Sequence, residues 1–275
     1  MSYAVLAHRG DTDAELLAQE LARRDPGSFI AWEDELFLGS RFTHRIDEGG
    51  VDTEILCAGG RRLDSTDLRG LVCRLTQAMP PQFAAAPRAD RDYAAMESHA
   101  LLLSWLESLP CPVVNPASPR SLNGPALGLL EWLPLAAASG LPSRRVALAP
   151  PGAPPPHEGW ETLAGDLGSA TTALPTVTDG GDGEDGGARL WAEPVGEAAE
   201  LLVVGDRVLG GASSEERRGY ARLARRAGCS LLGVHVAAAT GEGPPARVFC
   251  GAETMPRLGP EGAAALAGLI TGEAA

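Results

Sequence analysis

The N-terminal half of the chain alternates short apolar runs with amphipathic segments. Tyr3 to Ala7 is an apolar run of strand length, and leucines recur at helical spacing in the segment after it. Thr12 and Glu15 have the spacing of a capping box at the start of that helix. A buried strand, a short loop and a helix form the opening unit of an α/β domain, and we therefore expect one here.

The rest of this half continues the pattern. Asp90 to Leu109 is the clearest helix, and its apolar side chains are predicted to be buried. Those side chains are Tyr93, Met96, Ala100, Leu103, Trp105, Leu106 and Leu109. A second helix is predicted over Leu127 to Ser139. Further strands are predicted at Phe29 to Trp32, Thr53 to Cys57, Arg61 to Leu63, Gly70 to Leu75 and Pro112 to Asn115, the second and third joined by a hairpin at Gly59-Gly60.

The middle of the chain changes in composition. Pro150 to Pro156 is rich in proline, and Thr178 to Gly187 is acidic and rich in glycine. We interpret the region as a poorly ordered connection, with one short helix around Trp160 to Leu174. Ordered elements then return. They are strands at Glu200 to Gly205, Val208-Leu209, Leu231 to Ala237 and Ala246 to Cys250, and helices at Ser213 to Ala227 and Pro260 to Ile270.

Charge narrows the classes of partner. The chain has a formal charge of −13. Sequence-independent binding to nucleic acid or to anionic lipid requires clustered cations, so we expect neither partner. All 23 basic residues are arginine, which excludes a Schiff-base lysine and a lysine contact to a nucleotide phosphate. The chain has no membrane-length apolar run and no secretion-signal pattern, and a cytoplasmic protein is expected.

The cysteines do not form a recognisable framework. There are five of them, widely spaced and without a CxxC pair. We therefore expect buried thiols and neither disulfides nor a structural zinc site. The cysteines are Cys57, Cys73, Cys111, Cys229 and Cys250.

Two stretches resemble the ATP-grasp superfamily of carboxylate–amine ligases, especially its peptide-ligase branch. The first is PVVNPASPRSL with LLEWLPLAAASGLPSRR, which is similar to the junction between the N-terminal Rossmann-like domain and the nucleotide-binding part. The second is ELLVVGDRVLGG, ARRAGCSLLGVHV and ARVFCGAETMPRL, which is similar to the C-terminal lobe. The order of the motifs is more specific than any one of them, and the resemblance covers half to two-thirds of the chain.

The resemblance also shows where this chain departs from the family. The family's metal-binding aspartate corresponds to His235, and its acidic residue and asparagine correspond to Gly251 and Glu253. An arginine common in the family corresponds to Glu200. Family lysines hold ATP phosphates, and the interval between Ser143 and Trp191 is too short for the central ATP-binding lobe. The remaining candidates are His235 and Glu253 for a metal and Arg144, Arg145, Arg207 and Arg257 for a nucleotide.

A second group of candidates follows the strands of the N-terminal domain. His8 and Asp11 lie just beyond the first strand, and Asn115 ends the strand after the long helix. In open α/β sheets, ligands bind beyond the carboxyl ends of the strands. These three residues are therefore candidates for a substrate cleft. The other reading is structural, in which Asp11 and Asp13 cap the first helix and His8 is exposed.

We expect an α/β protein in three parts. Residues 1–145 are a Rossmann-like pre-ATP-grasp domain, residues 146–190 a connection in place of the central lobe, and residues 191–275 a small α+β C-terminal lobe. The leading hypothesis is a degenerate ATP-grasp homologue without ligase activity or cofactor. It would bind a protein or peptide in a peptide-modification pathway, with an active ATP-grasp enzyme or a second copy of itself as further partner.

Two alternatives stay open. One is a working ATP-dependent carboxylate–amine ligase that uses ATP and magnesium with an altered nucleotide site. The other is a transition-metal enzyme that uses His8, His235 and Glu253.

Overall fold

The chain is described by a computed structural model over residues 2–38, 41–57, 60–150, 152–163, 189–240 and 247–273. It divides into two compact units. The first unit comprises Met1–Pro125, Gly228–Leu231 and Arg257–Ala275, and the second comprises Ala126–Ala227 and Leu232–Pro256. These units do not follow the predicted boundaries at 145 and 191, because the last part of the chain joins the unit that the first part forms.

A four-stranded parallel sheet is the centre of the first unit. Its order is β2-β1-β6-β7. The strands are β1 (Ser2–Ala7), β2 (Phe29–Trp32), β6 (Leu68–Arg74) and β7 (Val113–Val114). Helix α1 (Thr12–Arg24) packs against β1 and β2, and α6 (Gly259–Thr271) packs against α1 and β6. Mixed helices and parallel strands confirm the α/β prediction.

The start of α1 differs from the predicted capping box. Asp11 is the N-cap, and its carboxylate accepts the backbone N–H of Ala14 at 3.0 Å. Thr12 is already the first helical residue. Asp and Thr side chains can both accept hydrogen bonds from the free N–H groups of a helix's first turn. Asp11 stands one residue ahead of Thr12 and takes the N-cap position.

A second sheet in this unit is antiparallel, in the order β3-β4-β5. Strands β4 (Gly50–Leu56) and β5 (Arg62–Asp64) confirm the predicted hairpin, of which residues 58 and 59 lie outside the described residues. Strand β3 (Arg41–Asp47) was not predicted. Its side chains are mostly exposed, so it lacks the apolar pattern of a buried strand. A short helix α2 (Glu33–Phe37) precedes it.

The long helix α3 (Arg88–Ser108) forms as predicted, and the prediction of its buried face is confirmed for Trp105 and Leu106 but wrong for its N-terminal part. The buried residues are Ala94, Leu102, Trp105 and Leu106. Tyr93 and Met96 have exposed fractions of 65% and 70%, and Ala100 is also exposed. The C-terminal half of the helix packs into the core, whereas Ala94 is the one buried residue of the N-terminal half.

The second unit contains a four-stranded sheet in the order β12-β11-β13-β14. Its strands are β11 (Val195–Val204), β12 (Arg207–Leu209), β13 (Leu231–Ala239), whose first residue belongs to the first unit, and β14 (Arg247–Glu253). Its helices are α4 (Leu129–Ala138) and α5 (Ser214–Arg226). Ser213 caps α5, and Gly228 follows its end with a positive φ of 70°.

The predicted connection contains strands. A three-stranded antiparallel sheet in the order β8-β10-β9 is formed by β8 (Val146–Ala149), β9 (Glu161–Leu163) and β10 (Arg189–Ala192). The predicted helix around Trp160 is therefore a strand at residues 161–163. Its remainder, and the acidic glycine-rich stretch, lie outside the described residues. A strand of three or four residues is too short to show the alternation of apolar and polar residues by which strands are predicted.

All five cysteines are free, four of them buried and Cys111 half-buried, as expected. Within the ranges described, no helix has the length and apolar character needed to span a membrane.

Candidate functional site

The paired strands β13 and β14 bring two of the predicted residues together. In their register Gly233 lies opposite Glu253, and His235 lies opposite Gly251. Side chains two residues apart share one face of a strand, so His235 and Glu253 point to the same face of the sheet. The Nε2 atom of His235 lies 3.3 Å from Oε1 of Glu253.

Gly233 and Gly251 lie on this face without side chains of their own, and the space around them differs. A Cβ atom at Gly233 would lie 2.7 Å from Cβ of Pro256 and 3.1 Å from Cγ of Glu253. It would also lie 3.3 Å from Oε1 of Glu200, so this glutamate reaches the same place. At Gly251 the nearest atom to such a Cβ is Cδ1 of Leu129 at 4.0 Å. A Cβ atom at Gly251 therefore meets no close neighbour, whereas one at Gly233 would clash with Pro256.

His235 and Glu253 are in contact, but their hydrogen bond is not well aligned. The imidazole is buried, and the Glu253 side chain keeps an exposed fraction of 25%. Nε2 of His235 lies at ion-pair distance from Glu253 without a well-aligned hydrogen bond. A small rotation of either side chain would align the donor with the carboxylate.

The residues at this face do not fit a magnesium ion. Magnesium prefers octahedral oxygen ligands, and His235 offers an imidazole nitrogen. Across the described part of the chain there is no group of three or more His, Cys, Asp or Glu residues that could hold any metal ion. The transition-metal alternative stays a prediction; His8 belongs to the first unit, and His235 and Glu253 belong to the second.

Two of the four candidate arginines serve the structure of the second unit. Arg144 is buried, donates from Nε to the Glu193 carbonyl, and donates from Nη2 to Oε2 of Glu161 at 3.2 Å. Arg145 forms a bidentate pair with the Glu193 carboxylate at 2.8 and 3.0 Å. This pair lowers the pKa of Glu193. A bidentate pair occupies the fork that would otherwise bind phosphate.

The other two arginines are exposed. Arg207 begins β12, and Arg257 lies between β14 and α6. Neither forms an ion pair with any residue that the structure describes. Of the four candidate arginines, Arg207 and Arg257 are therefore the two whose guanidinium groups form no ion pair with a described residue.

His8 is part of an ion pair that the sequence did not indicate. Its Nδ1 atom lies 2.6 Å from Oε2 of Glu33, which follows β2. The hydrogen bond to Glu33 raises the pKa of His8, burial opposes the shift, and Asp11 adds a smaller increase. The other Glu33 oxygen accepts the backbone N–H of Met79 at 2.6 Å. Glu33 is buried, so it ties His8 to the segment after β6.

Asp11 also has a structural partner. Besides capping α1, it accepts a hydrogen bond from Nε of the buried Arg74 at 2.7 Å. Arg74 lies 3.6 Å from Asp13 as well. Arg74 and Glu33 were missed by the sequence analysis. The available signal was their position, because each stands at or just after the carboxyl end of a predicted strand in one sheet.

Asn115 is buried and joins separate parts of the first unit. Its Oδ1 atom accepts the backbone N–H groups of Ser230 and Leu231 at 2.8 and 2.9 Å. Its amide nitrogen donates to the Leu231 carbonyl at 2.8 Å and the Asn123 carbonyl at 3.4 Å. The amide is fully used by the backbone, so Asn115 is a structural residue.

The fold has counterparts among solved structures. No family model and no curated protein matches the chain. The macrocyclase MdnC from Microcystis aeruginosa MRC, bound with precursor peptide MdnA, is 11% identical with a TM-score of 0.78, over 99% of this chain and 100% of MdnC. A RiPP-associated ATP-grasp ligase of Chryseobacterium gregarium, in complex with ADP and a leader and core peptide, is 10% identical with a TM-score of 0.72, over 100% and 98%.

A third neighbour is the ATP-grasp ligase PsnB, complexed with minimal precursor. It is 13% identical with a TM-score of 0.72, over 100% of this chain and 99% of PsnB. At these identities the likeness establishes the fold. The chain has the fold of ATP-grasp ligases, which confirms the resemblance found in the sequence.

Proposed function

We propose that this chain binds a peptide in a peptide-modification pathway and does not itself join a carboxylate to an amine. The observation that carries the peptide partner is the shared fold, since MdnC, PsnB and the C. gregarium ligase were each solved with a peptide bound. Fold alone does not define chemistry, so the absence of ligase activity is argued from the site.

The site supports a non-catalytic protein through its charges. Phosphoryl transfer depends on cations placed around the phosphates. This chain has no lysine, Arg144 and Arg145 are engaged by glutamates, and an imidazole stands where the family has a metal-binding aspartate. Each difference means either one cation fewer to contact the phosphates or one oxygen ligand fewer for magnesium.

We also propose the domain correspondence expected from the sequence. Residues 1–145 would correspond to the Rossmann-like N-terminal domain, and the parallel order β2-β1-β6-β7 supports this part. Residues 191–275 would be a reduced C-terminal lobe, and residues 146–190 would replace the central lobe. An active ATP-grasp enzyme or a second copy would then be a further partner.

The test is calorimetric titration of the full chain with ATP and excess magnesium, repeated after chelation. The proposal expects no heat and no shift in melting temperature at millimolar ATP. Saturable, magnesium-dependent binding at one site would overturn the non-catalytic assignment and favour the ligase alternative. The exposed Arg207 and Arg257 would then be the first residues to replace.

A second test restores the family's ligands. The triple variant His235→Asp, Gly251→Glu, Glu253→Asn places oxygen ligands at the three positions, and a Cβ atom at Gly251 meets no atom closer than 4.0 Å. We expect measurable magnesium-dependent ATP binding in this variant. Gly251→Ala is the matched control, because it fills the same space without an oxygen. A triple variant that folds and still fails to bind would assign the loss to the missing lysines instead.

A further inference from the structure

Strand β3 is an edge of the antiparallel sheet β3-β4-β5, and it pairs with β4 along its whole length without a shift in register. Asp47 and Gly50 flank the two-residue turn between these strands, and residues in that position exchange backbone hydrogen bonds. Such positions alternate along an antiparallel pair, so the N–H and C=O groups of Phe42, His44 and Ile46 point away from β4. Within the described ranges, no hydrogen bond reaches these groups.

The same edge leaves apolar side chains uncovered. Phe42 packs edge-to-face on Trp105 of α3, with the ring centroids 6.1 Å apart. Ile46 lies on the same face of the strand but is 66% exposed, and Val51, its partner on β4, is 43% exposed. An edge strand that presents unpaired backbone groups beside exposed apolar side chains is a template for a further strand.

The sequence of β3, RFTHRID, complements itself when two copies run antiparallel. With the two-fold axis at His44, Arg41 lies opposite Asp47 of the second copy, and Phe42 lies opposite Ile46 of the second copy. Symmetry produces each pair twice. Opposite charges stabilise an antiparallel sheet when they face each other across two strands, and so does an aromatic side chain opposite a β-branched one.

Charge selects this register from its neighbours. Backbone geometry allows only the registers in which edge-facing residues meet one another. An axis at Thr43 keeps that rule but places Arg41 opposite Arg45, and an axis at Arg45 places this arginine opposite its own copy. Like charges directly opposite destabilise a sheet. At the axis through His44, each imidazole is already hydrogen-bonded through both ring nitrogens within its own chain.

The charged side chains of β3 have capacity for a second copy. Arg41 is 72% exposed, and its contact with Glu54 is long, at 3.9 Å. Oδ1 of Asp47 accepts the backbone N–H of Gly49 at 2.8 Å, and a carboxylate accepts several further hydrogen bonds. The strand carries two arginines and one aspartate, so the local charge opposes the repulsion between two chains of charge −13.

We propose that two copies of this chain associate through β3, which pairs with the β3 strand of the second copy about a two-fold axis at His44. The two sheets then form one continuous antiparallel sheet in the order β5-β4-β3-β3-β4-β5. The inference deepens the proposed function at one point, since it states how the second copy named there binds. It does not depend on peptide or nucleotide binding, so its failure would leave those proposals intact. A single strand edge buries little area, and the dimer is therefore in equilibrium with the monomer.

Sedimentation velocity of the full chain over a range of concentrations measures this equilibrium. Asp47→Arg brings like charges together at both ends of the paired strands, and so does Arg41→Asp. Each variant alone should associate about tenfold more weakly or less. An equimolar mixture of the two variants should form a heterodimer with the affinity of the unaltered chain, because opposite charges then meet again at both ends. Arg91→Asp is the matched control, since Arg91 is exposed on α3, and it should leave the equilibrium unchanged.

Hydrogen exchange supplies a second measurement that needs no substitution. The amides of Phe42, His44 and Ile46 should exchange more slowly as the concentration of the unaltered chain rises, whereas the amides of α5 should not. A chain that stays monomeric at its highest soluble concentration would overturn the inference. A dimer in which these three amides exchange as in the monomer would overturn it as well, and so would a mixture of the two variants that fails to associate.

Discussion

The pair formed by His8 and Glu33 makes the stability of the first unit depend on pH. The hydrogen bond that His8 donates to Glu33 raises the pKa of His8 above its usual value of 6.5. A raised pKa in the folded state means that the stabilisation is complete below pH 6.5 and is lost as the pH rises through the higher folded value. Because the imidazole is 41% exposed, solvent screens the pair and the effect is small.

We therefore expect His8→Gln to reduce the difference in urea midpoint between pH 5.5 and pH 8.5. The loss of stability should be confined to the acidic side, where His8 is charged. His157→Gln is the control, since this exposed histidine has no carboxylate partner among the described residues. An unchanged difference in His8→Gln would mean that the pair contributes nothing to folding.

The contacts of some candidate residues could be anticipated from the sequence, and those of others could not. His235 and Glu253 were named together through the family resemblance alone, and they lie together because β13 pairs with β14. Arg74 and Glu33 could not be predicted, since Arg74 meets Asp11 across 63 positions and the sequence carries no sign of that pairing. A buried charge reads as a surface charge until its partner is known.

At the scale of elements, two helical glycines should respond oppositely to the same substitution. A Cβ at Gly219 in α5 would lie 2.5 Å from Cδ2 of Leu141, whereas one at Gly268 in α6 would have its nearest neighbour, the Glu273 carbonyl oxygen, at 4.0 Å. Gly219→Ala should lower the free energy of unfolding by about 1–3 kcal/mol through overpacking. Gly268→Ala should raise it by about 0.5–1 kcal/mol through helix propensity.

Denaturant unfolding of the two variants beside the unaltered chain checks this prediction. Each variant is the control for the other, because both replace a helical glycine by alanine. Equal effects in the two helices would contradict the packing at Leu141.

The loop held by Asn115 gives a second prediction for an element. Asn115→Ala leaves the N–H groups of Ser230 and Leu231 without their acceptor. We expect the free energy of unfolding to fall by about 3 kcal/mol, since each unsatisfied buried polar group costs about 1–3 kcal/mol. Ser118→Ala is the comparison, because the Ser118 hydroxyl bonds only within its own turn, to Ser121 and Gly124. Its loss should be about 1 kcal/mol. Equal losses, measured by thermal unfolding, would refute the role of Asn115.

Elements with a strong apolar pattern were predicted well, and those without one were not. Strands β1 and β6 and helices α1 and α5 follow the pattern because their buried positions decide their conformation. Helix α3 exists as predicted, but periodicity alone cannot tell an apolar stripe that faces the core from one that faces solvent. Strands β8, β9 and β10 are short, and their pairing is not a local property of their sequences.

At the scale of the whole molecule, the net charge of −13 makes a clear prediction about nucleic acid. Binding to phosphate backbones releases counterions only where basic residues cluster, and many arginines here are paired with carboxylates. We expect no retention of the chain on immobilised double-stranded DNA at low salt. Retention that weakens as salt is added would contradict this expectation and reveal a basic surface.

The first unit is assembled from separate stretches of the chain, and this affects how it folds during synthesis. Helix α6 packs on α1, and Asp13 accepts the backbone N–H groups of Leu258 and Gly259 at the start of α6. At Gly70 the strand leaves room for Ile270, since a Cβ there would lie 2.8 Å from its Cγ1. On a ribosome, α6 emerges roughly 200 residues after β6, a delay of roughly ten to forty seconds at 5–20 residues per second. During that interval the nascent chain presents the apolar surface that α6 will cover, so its yield in a cell should depend on chaperones that hold unfinished chains.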